Sequence, residues 1–139
     1  MAGRANTNDT YQSITRGICV QVQLEYLEDQ SNEDDNRFVW AYHVRVRNDR
    51  EETVQLRSRT WHITDANGAM EEVKGPGVVG EQPILNSGDE FRYSSGCPLT
   101  TPSGFMVGSY TMVRPSGETF EAAIPAFSLD QPGARRSVN

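Results

Sequence analysis

Apolar residues occupy every second position over long stretches of this chain. Ile18, Val20, Val22, Leu24 and Tyr26 alternate with Cys19, Gln21, Gln23 and Glu25. Phe38, Trp40, Tyr42, Val44 and Val46 alternate in the same way with Val39, Ala41, His43, Arg45 and Arg47. A period of two belongs to a strand with one buried face. Residues 28–36 between these runs are polar and acidic and read as a loop. A third run starts with Val54 and Leu56 but resumes its apolar phase at Trp61 and Ile63. One extra residue between Arg57 and Thr60, a β-bulge, keeps both pairs on one face.

Asn67-Gly68 predicts a hairpin that turns the chain into residues 70–74. Ser87-Gly88 is a further turn before a strand carrying Phe91 and Tyr93. Met106, Gly108, Tyr110 and Met112 form one face of a long strand, with Gly108 making room for a bulky neighbour. Pro115-Ser116-Gly117 then turns the chain into Phe120, Ala122 and Ile124. About eight strands and no helical window predict an all-β fold, a two-layer antiparallel β-sandwich. The expected boundaries are a flexible N-terminal tail over 1–13, one sandwich domain over 14–129 and a disordered tail over 130–139.

Charge and cysteine content narrow the function. The net charge is −6, and the cations are 12 Arg and one Lys, Lys74. Duplex binding gains affinity from clustered cations on phosphates, so no nucleic-acid partner is expected. No apolar run reaches membrane-spanning length, and the first residues contain no apolar signal region. The expectation is a cytoplasmic chain without membrane insertion. Cys19 and Cys97 could form one bridge, but reduced thiols are expected in that compartment. Neither lies in a CxxC pair, so no metal site is expected.

Each candidate for chemistry has a plainer reading beside it. Gly75-Pro76-Gly77-Val78-Val79-Gly80 is a literal GxGxxG. In dinucleotide folds such glycines precede a helix whose amides face the pyrophosphate. Here Glu81 brings a carboxylate, Pro76 lacks an amide donor, and Ser87-Gly88 leaves no room for a helix. The segment reads as a strand connection bending across the sandwich edge. A phosphate nest built from Gly75, Gly77, Val78, Val79 and Gly80 is the alternative.

If the second and third strands form a hairpin about residues 48–52, His43 faces Arg57 and His62 faces Phe38, their rings roughly 15 Å apart. They could not share a metal, and no Ser or Cys partner is visible for either. Asp65 reads as a turn cap, the acidic loop as a solvated charge run, and Cys97 as a packing residue without an activating cation.

Four strings carry a family resemblance: Trp61 to Gly68 (WHITDANG), Gly75 to Pro83 (GPGVVGEQP), Tyr93 to Leu99 (YSSGCPL) and Thr101 to Gly104 (TPSG). In order and spacing, from about residue 13 to 129, the chain resembles the bacterial ApaG proteins. The resemblance implies an immunoglobulin-like sandwich of the fibronectin type III kind. Domains of this family also occur in eukaryotes, fused to an F-box and within a polymerase-delta-interacting protein, which implies a recognition module. The family is also labelled a cobalt/magnesium efflux protein, and for a chain without a membrane span that implies at most an indirect role.

The expectation is therefore a non-enzymatic binding module with a protein partner and no cofactor. Pro83, Thr101, Pro102, Ser103 and Gly104 are the expected partner-contacting loop residues. A homodimer through an edge strand and a weak phosphate or nucleotide binder using the glycine loop are the other readings. Fold alone does not choose among them.

Overall fold

The structure is a computed structural model and describes residues 10–132. Its strands are β1 (Thr10–Thr15), β2 (Ile18–Tyr26), β3 (Phe38–Asn48), β4 (Val54–Asp65), β5 (Met70–Pro76), β6 (Ile84–Leu85), β7 (Glu90–Leu99), β8 (Ser103–Val113) and β9 (Thr119–Asp130), and two short 3-10 turns, Glu28–Gln30 and Glu33–Asp35, lie in the acidic segment between β2 and β3. One antiparallel sheet has the order β1-β2-β3-β7. The other has the order β5-β4-β8-β9, with β6 also paired to β4. Without β1 and β6, a three-stranded sheet faces a four-stranded one in the fibronectin type III arrangement. Among the described residues no helix is long and apolar enough to cross a membrane.

The alternating residues build the core as their period requires. Ile18, Val20 and Val22 on β2, Trp40, Tyr42 and Val46 on β3, and Tyr110 and Met112 on β8 are buried between the sheets. The Trp40 indole donates Nε1–H to the Asp130 carbonyl at 3.1 Å, so this large ring is buried with its one donor satisfied. The β4–β8 register slips between Leu56 and Ser58, the bulge inferred from the phase change. Trp61 consequently faces inward and meets the Tyr42 ring at 5.3 Å and Phe127 at 6.0 Å. Gly108 has a different role from the one expected. A Cβ there would lie 2.2 Å from the Thr60 carbonyl oxygen, so the close neighbour is the β4 backbone, not a bulky side chain.

Two expectations about the course of the chain also require correction. The β3–β4 segment is not a hairpin: β3 pairs with β2 and β7, whereas β4 belongs to the opposite sheet. Asn48 directs the crossing. It is fully buried, donates from Nδ2 to the carbonyls of Glu52 and Leu85 at 2.9 Å each, and accepts from the Arg50 amide at 2.9 Å. The N-terminal tail is also shorter than expected, since Thr10–Ser13 pair with β2. Residues 1–9 and 133–139, the rest of the two expected tails apart from Asp130–Pro132, lie outside the described residues.

Candidate functional site: the open edge of the sandwich

The two long edges of the sandwich end differently. Where β1 approaches β9, Ser13 Oγ donates to the Ala123 carbonyl at 2.6 Å and the Ala123 amide donates to Thr15 Oγ1 at 3.1 Å. Those bonds stitch one sheet to the other. On the opposite side β5 pairs only with β4 and β7 only with β3, among the described residues. Both present an unpaired backbone edge. Between them lies a cleft of about 300 Å³ lined by Tyr42, Arg59, Trp61, Glu71, Val73 and Cys97, with Ser95 at its side.

The bulge in β4 accounts for the content of this cleft. It puts Arg59 on the same inward phase as Trp61, and the β4–β5 register places Gly75 beside Arg59. A Cβ on Gly75 would lie 3.0 Å from the guanidinium, so glycine leaves the Arg room. Arg59 donates from one terminal nitrogen to the carbonyls of Gly77 at 2.9 Å and Pro76 at 3.3 Å. No carboxylate among the described residues comes within 4.0 Å of it. The cleft thus has an aromatic floor, an Arg with an unmatched charge and a carboxyl, Glu71, on its rim.

Two titratable groups here, the Tyr42 phenol and the Cys97 thiol, favour their neutral forms. Burial raises the Tyr42 phenol, partly offset by its hydrogen bond with Ser95. Burial, followed by the repulsive charge of Glu71, pushes the Cys97 thiol up to about 11. A thiol held that high is protonated at neutral pH and a poor nucleophile, as its packing role required. Cys19 and Cys97 are both free. Both are buried, Cys19 on β2 in the phase opposite to Ile18 and Val20 and two strands away from Cys97 on β7.

The glycine segment connects β5 to β6, and because both pair with β4 it runs along one sheet rather than bending across the sandwich edge as expected. The Gly77 amide donates to the Arg57 carbonyl at 2.7 Å, and Val78 and Glu81 exchange amide–carbonyl bonds at 2.8 and 2.9 Å. Val79 and Gly80 form the centre of a type I′ turn, with φ of 41° and 83°. No helix follows. Gly77, at φ 61°, would put a Cβ 2.0 Å from the Glu81 carbonyl oxygen, so only glycine fits. Val78 is buried in the core and plugs this end of the sandwich. Val79 is an exposed β-branched residue in the left-handed region, a strained conformation for its type.

The loop residues expected to meet a partner hold the fold together. Thr101 is buried, accepts from the Ala66 amide at 3.1 Å and donates to the Ser103 carbonyl at 2.8 Å. A Cβ on Gly104 would lie 2.4 Å from the Thr64 carbonyl oxygen. The Pro83 carbonyl accepts from the Leu56 amide at 3.0 Å. Pro102 is exposed, and its carbonyl accepts from the Gln131 amide at 2.9 Å. Asp65 does cap the β4–β5 turn, taking the amides of Asn67 and Ala69 on Oδ1 at 2.8 and 3.0 Å.

The histidines lie on the outer faces of different sheets. His43 pairs across strands with Gln23 and Ser94, not Arg57, and His62 with Glu72 and Val107, not Phe38. His43 does have the serine partner that the sequence did not reveal. Its Nδ1 lies 2.7 Å from Ser94 Oγ and its Nε2 3.1 Å from Glu25 Oε1. Among the described residues no three His, Cys, Asp or Glu side chains come together in a way that could hold a metal.

The cleft itself was missed from sequence. A signal existed: Arg59 and Glu71 fall on the inward phase of their strands, where a closed core admits no charge.

These elements define an antiparallel β-sandwich of immunoglobulin-like topology, closed along one edge and cleft along the other. Comparison with known proteins supplies the family. The ApaG domain family profile matches residues 28–114. ApaG proteins from Mesorhizobium japonicum and Brucella anthropi are 61% and 62% identical over 129 residues, covering 93% of this chain and 99% of each relative. A Bordetella pertussis protein described as ApaA has a crystal structure with a TM-score of 0.80 at 43% identity, covering 83% of this chain and 94% of that one. The chain belongs to the ApaG domain family.

Proposed function

We propose that this chain is a non-enzymatic recognition module that binds an extended segment of a partner protein along its open edge. The observation that carries this reading is the cleft between the unpaired edges of β5 and β7, with Tyr42 and Trp61 as its floor and Arg59 unmatched by an acid. A peptide strand laid along β7 would gain main-chain hydrogen bonds from the free edge. A side chain dropping into the cleft would supply selectivity. The occupant is an extended peptide with an aromatic or large aliphatic residue on the Tyr42–Trp61 floor and an Asp or Glu reaching Arg59. A guanidinium prefers a carboxylate it can hold with two parallel bonds. The phosphate-nest alternative is weakened because the Gly77 and Val78 amides donate to carbonyls of the chain itself.

Panning a display library of extended peptides against the protein tests this, with the cleft-filling variant Val73→Trp as counter-screen. The expected winners pair an aromatic or aliphatic residue with a neighbouring acid. They weaken about tenfold or more on the filled variant, and again when the acid becomes its amide. Winners that bind the filled variant equally well, or no enrichment at all, would overturn the proposal.

A further inference from the structure

The outer face of the first sheet presents a second, independent feature. Strand register sets two polar rows across it. Gln21, Arg45 and Arg92 stand side by side on β2, β3 and β7, and next to them stand Gln23, His43 and Ser94. These six side chains line a surface depression of about 320 Å³. Ser94 faces this depression while the adjacent Ser95 faces the inter-sheet cleft, so the two sites lie on opposite faces of β7.

Among the described residues, the depression holds one cation, Arg45, without a close acid. Arg45 and Arg92 are direct cross-strand partners, and like charges so placed repel across strands about 4.8 Å apart. Arg92 holds Glu90 through its Nε at 2.8 Å and keeps its terminal nitrogens for other partners, and Arg47 beside the depression is paired with Asp49 at 2.8 Å. Arg45 has no carboxylate within 4.0 Å among the described residues. Its Nε is shut off from solvent with no acceptor. Repulsion and a shielded, unpaired donor both work against the folded protein, and an anion seated between the guanidiniums would relieve the repulsion.

We propose that this depression is an oxyanion site that takes the phosphoryl group of a small phosphorylated molecule. The terminal nitrogens of Arg45 and Arg92 face the anion from neighbouring strands. The Ser94 hydroxyl lines the site without donating to the anion: His43 Nε2–H donates to Glu25 Oε1 at 3.1 Å, so the Ser94 O–H is spent on His43 Nδ1 at 2.7 Å. Two guanidiniums offer more donors than the two oxygens of a carboxylate use. A doubly charged tetrahedral group matches them in both charge and number. The ligand is small because Glu25 and Glu90 flank the rows and the chain carries −6 overall, which repels an extended polyanion.

The test is a titration of isotope-labelled protein with inorganic phosphate and glycerol phosphate at low ionic strength, followed by amide shifts. Saturable shifts centred on Arg45, Arg92 and Ser94 at millimolar ligand are expected. Arg45→Gln should weaken binding about tenfold, while Lys74→Gln on the other sheet leaves it unchanged. Because the emptied site is strained, Arg45→Gln should also raise the melting temperature of the free protein, which a purely structural Arg45 would not do. No saturable shift at millimolar phosphate, shifts centred on residues 75–80, or an Arg45→Gln variant that melts lower and binds equally well would each overturn the proposal.

Discussion

The Tyr93 and Tyr110 hydroxyls meet 2.5 Å apart in the core, and their coupling can be measured directly. Tyr110 is fully buried and Tyr93 is 9% exposed. In Tyr93→Phe the Tyr110 hydroxyl loses its partner in a place water does not reach, at a cost of about 1–3 kcal/mol. Tyr110→Phe strands the Tyr93 hydroxyl nearer the surface, so its cost should fall at the lower end of that range. The double variant replaces both hydroxyls by apolar edges of the same shape and should cost less than about 1 kcal/mol. A double-mutant cycle should therefore give a coupling of at least about 1–2 kcal/mol, with the double variant more stable than the sum of the singles predicts. Urea unfolding at matched slopes reads this out, and a domain of this size should show melting shifts of about 3–5 °C per kcal/mol. If the two singles add to the double within about 0.5 kcal/mol, the pair is not the isolated buried unit described here.

The same phenols set an alkaline limit. Burial raises Tyr93, Tyr110 and Tyr42 above their ordinary value, with mutual repulsion adding to Tyr110. Their unfolded counterparts ionise near pH 10 while the buried ones stay neutral. Stability is thus intact below that pH and falls above it, by up to about 1.4 kcal/mol per pH unit for each group. Urea midpoints between pH 8 and 11 should show the fall, and the double Phe variant should flatten it. At the glycine segment, Gly77→Ala should destabilise by more than about 2 kcal/mol because its Cβ collides with backbone. Gly80→Ala, with open space around it, should cost only the left-handed penalty of about 1 kcal/mol, and thermal melts should rank the two accordingly. Val79→Gly should raise the melting temperature by releasing the strain at φ 41°. Asp65→Ala should cost about 1 kcal/mol by uncapping two turn amides.

What could be read from the sequence follows from where side chain and backbone agree. The core strands were legible because inward residues are apolar and outward ones polar, and the β4 bulge because one inserted residue inverts the phase. Strand β1 was not legible because its pattern runs backwards. Ser13 and Thr15 turn toward β9, where their hydroxyls bond its backbone, while apolar Ile14 is left exposed. Strand β6 has two residues, too few to show any period. The β3–β4 crossing looked like a hairpin because a five-residue link suits either connection, and the choice is made by buried Asn48 reaching Leu85, which is distant in sequence. Ser94, His43 and Glu25 come together only through strand register, which no local spacing encodes.

Amide hydrogen exchange of β7, measured with and without a peptide selected by panning, tests the open-edge account most directly. Protection should appear at β7 amides that point away from β3, accompanied by a change in Trp61 emission. Protection that appears along β1 and β9 instead, with β7 exchanging as fast as in the free protein, would contradict it.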